Sequence, residues 1–305
     1  MLYDGEYIKR NNEYLSLHPG TVIGGSYIIE RYLSFGGDHI QYDAFDTLRN
    51  KKCEIIEFYP ECLCRRASDG LCIQAVSGAD MQELESMRTY FVDMSSFLMS
   101  VNDIAQIQGA YDMRMENNTV YRVVDIVDGY IPLHKALKAS MTFDKVNAIF
   151  YKVASGVLQM HRKGFVIGNL TPLNIYVDME RGDIKILIDF AVINCIADDK
   201  RSPIVTPPYA AIELYMSKSV PDFGTDVYAM AAMIYQALTG QRIQECLCRD
   251  TEAEMSVLKS HRYPAYIERA LRKALVIDPK KRTKTVEKFM KNMHWNKSSM
   301  EDKSK

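Results

Sequence analysis

Apolar and polar residues alternate along the first part of the chain. Between Ser26 and Phe58 the segments SYIIERYLS, HIQYDAFD and KKCEIIEF are rich in β-branched and aromatic residues, and Gly36-Gly37 and Leu48-Arg49-Asn50 separate them. Three sequential strands with short connections predict an antiparallel meander. A helical stretch follows over Met81 to Ser100, and TVYRVVDI reads as another strand that ends at the turn Asp128-Gly129. The pattern therefore predicts a small β-rich unit with one helix.

From about Gly129 the period becomes helical. Val146, Ile149, Phe150, Val153 and Val157 mark an amphipathic helix, and Gly164 supplies a C-terminal cap. NIYVDMERGDIKILID reads as two short strands around Arg181-Gly182-Asp183, followed by an irregular stretch to Tyr209. Thr225 is the expected N-cap of VYAMAAMIYQAL, a run apolar nearly all round and therefore expected at the centre of a helical unit, ending before Gly240. Val286, Phe289, Met290 and Met293 mark a final amphipathic helix, whereas NKSSMEDKSK has no apolar face and is expected to be disordered.

A length of 305 residues accommodates one large two-lobed unit, and an apolar content of 47% excludes a wholly disordered chain. A net charge of −1 provides no field for nucleic acid or an anionic membrane, so neither is expected as a partner. The start, MLYDGEYIKRNNEY, lacks the basic-then-apolar order of a signal peptide, and Val227 to Leu238 is too short to span a bilayer. A cytoplasmic protein with reduced, mostly buried cysteines is expected. The motif ECLCR occurs twice, at Glu61–Arg65 and Glu245–Arg249. Core packing outweighs a four-cysteine zinc site there, because the usual knuckle is C-x2-4-C and the pairs lie far apart.

Six segments in order, PGTVIGGSYIIERYLSFGG, EIIEFYPECLCRRASDG, NLTPLNIYVD, ILIDFA, PPYAAIELY and GTDVYAMAAMIYQALTG, make the chain resemble a bacterial eukaryotic-type Ser/Thr protein kinase domain over residues 19 to 293. The resemblance implies an α+β, two-lobed fold: an N-terminal extension (1–18), a small antiparallel β-rich lobe with one helix (19–128), a larger helical lobe (129–295) and a tail (296–305).

Matched residue by residue, the chemistry is degenerate. Of three loop glycines that would lie over a triphosphate, only the second remains, at Gly36, with Gly37 beside it. Ser34 and His39 stand at the other two positions, and Asp38 adds negative charge. Ile56 stands at the strand lysine. Glu54 stands at the alanine that roofs the adenine and Gln41 at the neighbouring apolar position, while Val124, Asp125 and Tyr176 complete the nucleotide-pocket positions. An unpaired carboxylate against a base costs several kcal/mol in its ionised form. Lys52 shares the strand face of Ile56 but lies about 13 Å away at the usual rise. Asp93, nearest to the helix acid that would meet the lysine, reads as solvated. In the catalytic loop Asn169 replaces the proton-accepting aspartate, and an amide is no base at neutral pH. Thr171 replaces the lysine that neutralises the moving phosphoryl group. Asn174 and Asp189, the two metal-ligand positions, are retained, Asp189 within Asp189-Phe190-Ala191. Glu213 and Arg282 match a buried structural ion pair, and Asp226 matches the aspartate that tethers the catalytic loop.

The resemblance thus implies a pseudokinase, a non-catalytic interaction or regulatory module without a cofactor, whose partner is another protein such as an active kinase or a substrate. Two alternatives take Mg-ATP: a divergent active Ser/Thr kinase using Asp189, Asn174 and an unrecognised cation, and a nucleotide-binding switch without turnover.

Overall fold

Alternation becomes strand wherever it can bury one face. The computed structural model describes residues 15–127, 129–137, 141–188, 205–216 and 219–295. The chain divides into two units, one built on Met1–Asp103 with Gln108–Asp128, the other on Ile104–Ile107 with Gly129–Lys305.

The first unit carries β1 (Val22–Ile23), β2 (Tyr27–Phe35), β3 (His39–Asp46), β4 (Lys51–Phe58), β5 (Cys64–Arg66), β6 (Ile73–Ala75), α1 (Met81–Ser100), β7 (Ala110–Glu116) and β8 (Thr119–Val124). Six strands form one antiparallel sheet in the order β1-β2-β3-β4-β8-β7, and β5 pairs with β6. In β3, Ile40, Tyr42, Ala44 and Asp46 are buried while His39, Gln41, Asp43 and Phe45 are only half-buried. The turn to β4 is held by the Asp46 carboxylate, which accepts from the N–H groups of Leu48 and Arg49, both at 3.0 Å. Strand β8, between β4 and β7, is buried at every position, and α1 lays Phe91 against Phe58 with ring centroids 5.5 Å apart. The short β5–β6 pair and the charged strand β7 carry too few apolar alternations to show in the sequence pattern.

A buried charge network fixes the other face of this sheet. Glu57, fully inaccessible, accepts both guanidinium nitrogens of Arg66 at 2.5 and 2.8 Å and the Tyr42 hydroxyl at 2.6 Å. Arg66 also donates to the Leu15 carbonyl, and the Leu17 N–H donates to Tyr42 Oη, so the segment before β1 is tied to the sheet.

The second unit carries β9 (Ile131–Pro132), α2 (Leu133–Ala136), α3 (Phe143–Arg162), β10 (Ile175–Val177), β11 (Ile184–Ile186), a 3-10 turn (Ile212–Tyr215), α4 (Phe223–Thr239), α5 (Thr251–Ser260), α6 (Ala265–Ala274) and α7 (Val286–Asn292). Its small sheet has the order β11-β10-β9. The segment 104–107 belongs here because Ile186 donates to the Gln106 carbonyl at 2.7 Å, and Gly156 of α3 leaves the space that Gln106 fills. The apolar stripe Val146, Ile149, Phe150, Val153 and Val157 is the buried face of α3. Helix α4 begins earlier than the sequence suggests: its N-cap is Asp222, and Thr225 is the third helical residue, returning a hydroxyl to the Asp222 N–H in a capping box. Gly240, with φ 71°, ends it.

Glu213 and Arg282 are both buried and form a bidentate pair at 2.6 and 3.0 Å. Thr225 donates to the same carboxylate at 2.7 Å, and Arg282 Nε donates to the Val276 carbonyl. Among the described residues no helix is long and apolar enough to cross a membrane.

Candidate functional site

In the first unit the glycine hairpin is closed on itself. The Gly36 N–H donates to the His39 carbonyl at 2.9 Å, and a Cβ on Gly36 would collide with the His39 imidazole. The one retained motif glycine therefore has a packing role. The carbonyls of Gly37 and Asp38 accept from the N–H groups of Glu61 and Tyr59 at 3.2 and 2.8 Å, so the hairpin continues the pairing of β3 with β4. Ser34 and Gln41, register partners, join through a side-chain hydrogen bond of 2.5 Å. Asp38 sits 2.6 Å from His39 Nδ1. Burial pushes the Asp38 carboxyl up, but the hydrogen bond and charge of His39, with the charge of Arg122, outweigh it and hold the group below its ordinary value.

Strand register sets what surrounds Ile56. Its partners are Gln41 on β3 and Arg122 on β8, so the three side chains share one face. The Arg122 guanidinium lies over the Phe91 ring of α1, 5.1 Å from its centroid, and Arg122 is only 5% exposed. Burial lowers its pKa to about 9, against the opposing pull of Asp38 and Tyr90, so it remains charged at neutral pH. In the adjacent row Glu54 lies between Asp43 and Val124. Burial, and next the charge of Asp43, push the Glu54 carboxyl up to about 7. Asp125 is exposed; its carboxylate meets Lys51 Nζ at 2.5 Å and its carbonyl accepts from Gln108. Asp93 and Lys52 are exposed.

In the second unit Asp226, buried in the first turn of α4, accepts from the N–H groups of Ile167 at 2.8 Å and Gly168 at 2.7 Å, and it meets His161 Nε2 at 2.8 Å. His161 in turn stacks on Phe223 with centroids 4.2 Å apart. This anchors the loop that holds Asn169, Thr171 and Asn174. The Asn169 amide oxygen accepts from Thr206 Oγ1 at 3.1 Å. Asn174 Oδ1 accepts from the Thr171 N–H at 2.8 Å, and its Nδ2 donates to the Asn169 carbonyl at 2.8 Å. The Thr171 hydroxyl accepts from the Leu173 N–H at 3.2 Å. Tyr176, on β10, is paired in register with Lys185 and Pro132. Asp189, Phe190 and Ala191 lie outside the described residues.

These atoms can bind one another and fix a loop. An amide and a hydroxyl supply no base of suitable strength and no positive charge. Among the described residues no group of three or more His, Cys, Asp or Glu is arranged to hold a metal ion. Cys64 and Cys246 are buried, and burial pushes the Cys64 thiol up to about 12, as befits core packing.

Reading the sequence missed Arg122, Thr206 and the Glu57–Arg66 pair. Arg122 left a signal, as the lone charge inside the otherwise apolar TVYRVV. Thr206 left none, because its partner Asn169 lies 37 positions away.

A family model described as the protein kinase domain matches residues 63–299. A protein of Clostridium acetobutylicum named as a probable serine/threonine-protein kinase is 24% identical over 229 residues, 73% of this chain and 31% of that protein. The serine/threonine-protein kinase RUNKEL of Arabidopsis thaliana is 31% identical over 102 residues, 32% of this chain and 7% of the relative. The chain thus spans less than a third of the length of either. Among solved structures, the apo form of PpkA-294 superposes with a TM-score of 0.74 at 19% identity, covering 92% of this chain and 99% of that one.

Proposed function

The chain belongs to the protein kinase domain family, and from that premise we propose that it is a pseudokinase: a kinase fold that acts as a non-catalytic interaction or regulatory module on another protein. The observation that carries the reading is the closed hairpin. The Gly36 N–H, which a triphosphate would need, is bound to the His39 carbonyl, and the imidazole fills the space a glycine leaves open. On β4 stand Ile56, which carries no charge, and Glu54, whose carboxyl is pushed up to about 7 and is only partly ionised at neutral pH. In the second unit Asn169 holds its loop where a base would act.

Phosphoryl transfer is chiefly positioning and electrostatic stabilisation. Loss of a general base costs about 10²- to 10⁴-fold, and loss of one preorganised charge about 10²- to 10³-fold more. With base, strand lysine and loop lysine all replaced, turnover falls toward background even when the losses do not add. Were Mg-ATP bound, Asn174 would be the described residue to meet the metal, its amide oxygen also accepting from the Thr171 N–H. The proposed module takes no cofactor. The alternative, an active Ser/Thr kinase, draws on the intact loop geometry around Asn174 and Asp226 and on the names of the relatives.

Thermal unfolding with and without millimolar ATP and Mg²⁺ separates them. No shift is expected. A rise of several degrees that Asp189→Ala abolishes would favour a nucleotide-binding switch or an active kinase, and transfer of labelled γ-phosphate by the wild-type chain, lost in Asp189→Ala, would sink the pseudokinase reading.

A further inference from the structure

Between β4 and α1 the chain makes the short hairpin β5–β6, and one of its residues reaches three separate parts of the first unit. Arg66, on β5, donates to both carboxylate oxygens of Glu57 on β4 at 2.5 and 2.8 Å, to the Leu15 carbonyl ahead of β1 at 2.8 and 3.2 Å, and to the Leu71 carbonyl of its own hairpin at 2.9 Å. Its guanidinium also lies over the Tyr59 ring, 4.9 Å from the centroid. A planar fork with five N–H donors holds three such partners at once, which a single ammonium nitrogen does not.

The segment from Leu15 to Leu17 is a strap seated on this network. Leu17 is only 1% exposed; its N–H donates to Tyr42 Oη at 3.1 Å, and that hydroxyl donates to Glu57 at 2.6 Å. Strap and hairpin therefore rest on the same buried ion pair. From the hairpin the contacts continue toward α1. Ile73, the register partner of Arg66, donates its N–H to the Asn117 carbonyl at 3.0 Å, and Arg88 of α1 donates to the Asn118 carbonyl at 3.2 Å, so hairpin and helix grip the same β7–β8 turn. The Val76 N–H donates to the Leu63 carbonyl at 2.9 Å, just ahead of Asp80, the N-cap of α1.

We propose that strap and hairpin are one conformational device, seated or released together through Arg66, so that whatever lifts Leu15–Leu17 off the sheet also loosens β5–β6 and the first turns of α1. The coupling follows from the cost of partial release. With the strap lifted, the guanidinium loses the Leu15 carbonyl, and a buried donor left without its acceptor costs more than the bond contributes when made. The hairpin has little of its own to resist this, because β5 and β6 are three residues each and so short a pair is not stable alone. The device lies within the first unit and works whether or not the chain transfers phosphate.

Amide hydrogen exchange on the full chain tests it with Leu17→Ala, which unseats the strap without altering any atom of the ion pair. Exchange in 63–76 and 81–88 is expected to quicken about tenfold or more, while that of α4 in the second unit stays unchanged. Arg66→Lys keeps a charge beside Glu57, but its one nitrogen cannot also hold the Leu15 and Leu71 carbonyls. In that background Leu17→Ala is expected to change hairpin exchange by no more than about twofold. An unchanged hairpin in Leu17→Ala, an equal effect in both backgrounds, or a quickening that spreads equally to α4 would overturn the coupling. Tyr42→Phe gives a second check, since it removes the hydroxyl between Leu17 and Glu57 with little change in shape. Exchange of the Leu17 amide and of the hairpin are expected to rise together; a rise at Leu17 with none in the hairpin would overturn the device as well.

Discussion

Glu54 shows how far one residue's surroundings can be read from sequence and where register is needed. Its place at the adenine roof is what the motif match implies, and so is the cost of a carboxylate there. That Asp43 is its cross-strand neighbour follows only from the pairing of β3 with β4. The raised pKa has a definite sign in stability. Below the ordinary carboxyl range both folded and unfolded chains keep the proton, so Glu54 costs nothing. As pH rises toward about 7 the unfolded chain ionises freely while the folded one resists, and stability falls. Above that value the cost is complete. Glu54→Gln removes the ionisation without much change in shape. It is expected to raise unfolding free energy by about 1 to 3 kcal/mol at pH 8 and to change it little at pH 4. Urea denaturation at the two pH values checks this; equal effects at both would mean that Glu54 ionises in the folded chain as it does in water.

At the level of elements, two buried ion pairs do similar work in the two units. Glu213–Arg282 was legible, because both residues match positions of the family's buried ion pair, Glu213 within PPYAAIELY. Glu57–Arg66 was not, although both residues lie inside a quoted motif, since nothing in an alternating strand says which of its carboxylates turns inward. Each pair is bidentate and further hydrogen-bonded, Glu213 by Thr225 and Glu57 by Tyr42. Removing one partner leaves the other buried and alone, at a cost of about 3 to 5 kcal/mol. Arg282→Ala should therefore lower the urea midpoint reported by Trp295, the chain's only tryptophan, which is buried in the same unit. Arg66→Ala should show its loss instead in the exchange protection of β3 and β4. An unchanged Trp295 midpoint in Arg282→Ala would remove the energetic role of the pair. The helix starts carry a related lesson. Thr225 has the chemistry of a cap, but Asp222 takes that place because the capping box uses both residues, and sequence pattern alone cannot say which end of the box opens the helix.

For the whole molecule, the scaffold was legible because its signals are repeated: alternation over β2 to β4, a stripe on α3, an all-apolar α4. The residues that stand at the motif positions were legible because those positions are fixed by spacing. What escaped were their neighbours, such as Arg122 opposite Ile56 and His39 against Gly36, because they depend on which strand lies beside which. Those neighbours change what substitution of the family's residues should do. Putting back the family residues with Ile56→Lys, Glu54→Ala, Asn169→Asp, Thr171→Lys and Ala191→Gly would place a second cation directly opposite Arg122 across the β4–β8 ladder. Like charges in register destabilise a sheet, and inside a poorly solvated face they cost more than the few tenths of a kcal/mol of an exposed pair. Ile56→Lys alone is therefore expected to lower the thermal midpoint, and Arg122→Met to recover most of that loss. Nucleotide binding should appear only after Glu54→Ala removes the carboxylate and Ser34→Gly with His39→Gly reopens the hairpin, read as ATP-dependent thermal stabilisation. Phosphotransfer should come last, since it needs Asn169→Asp as well. If Ile56→Lys left the midpoint unchanged while Arg122 was intact, position 56 would not face the guanidinium, and the register that places Ile56 beside Arg122 would have to be redrawn.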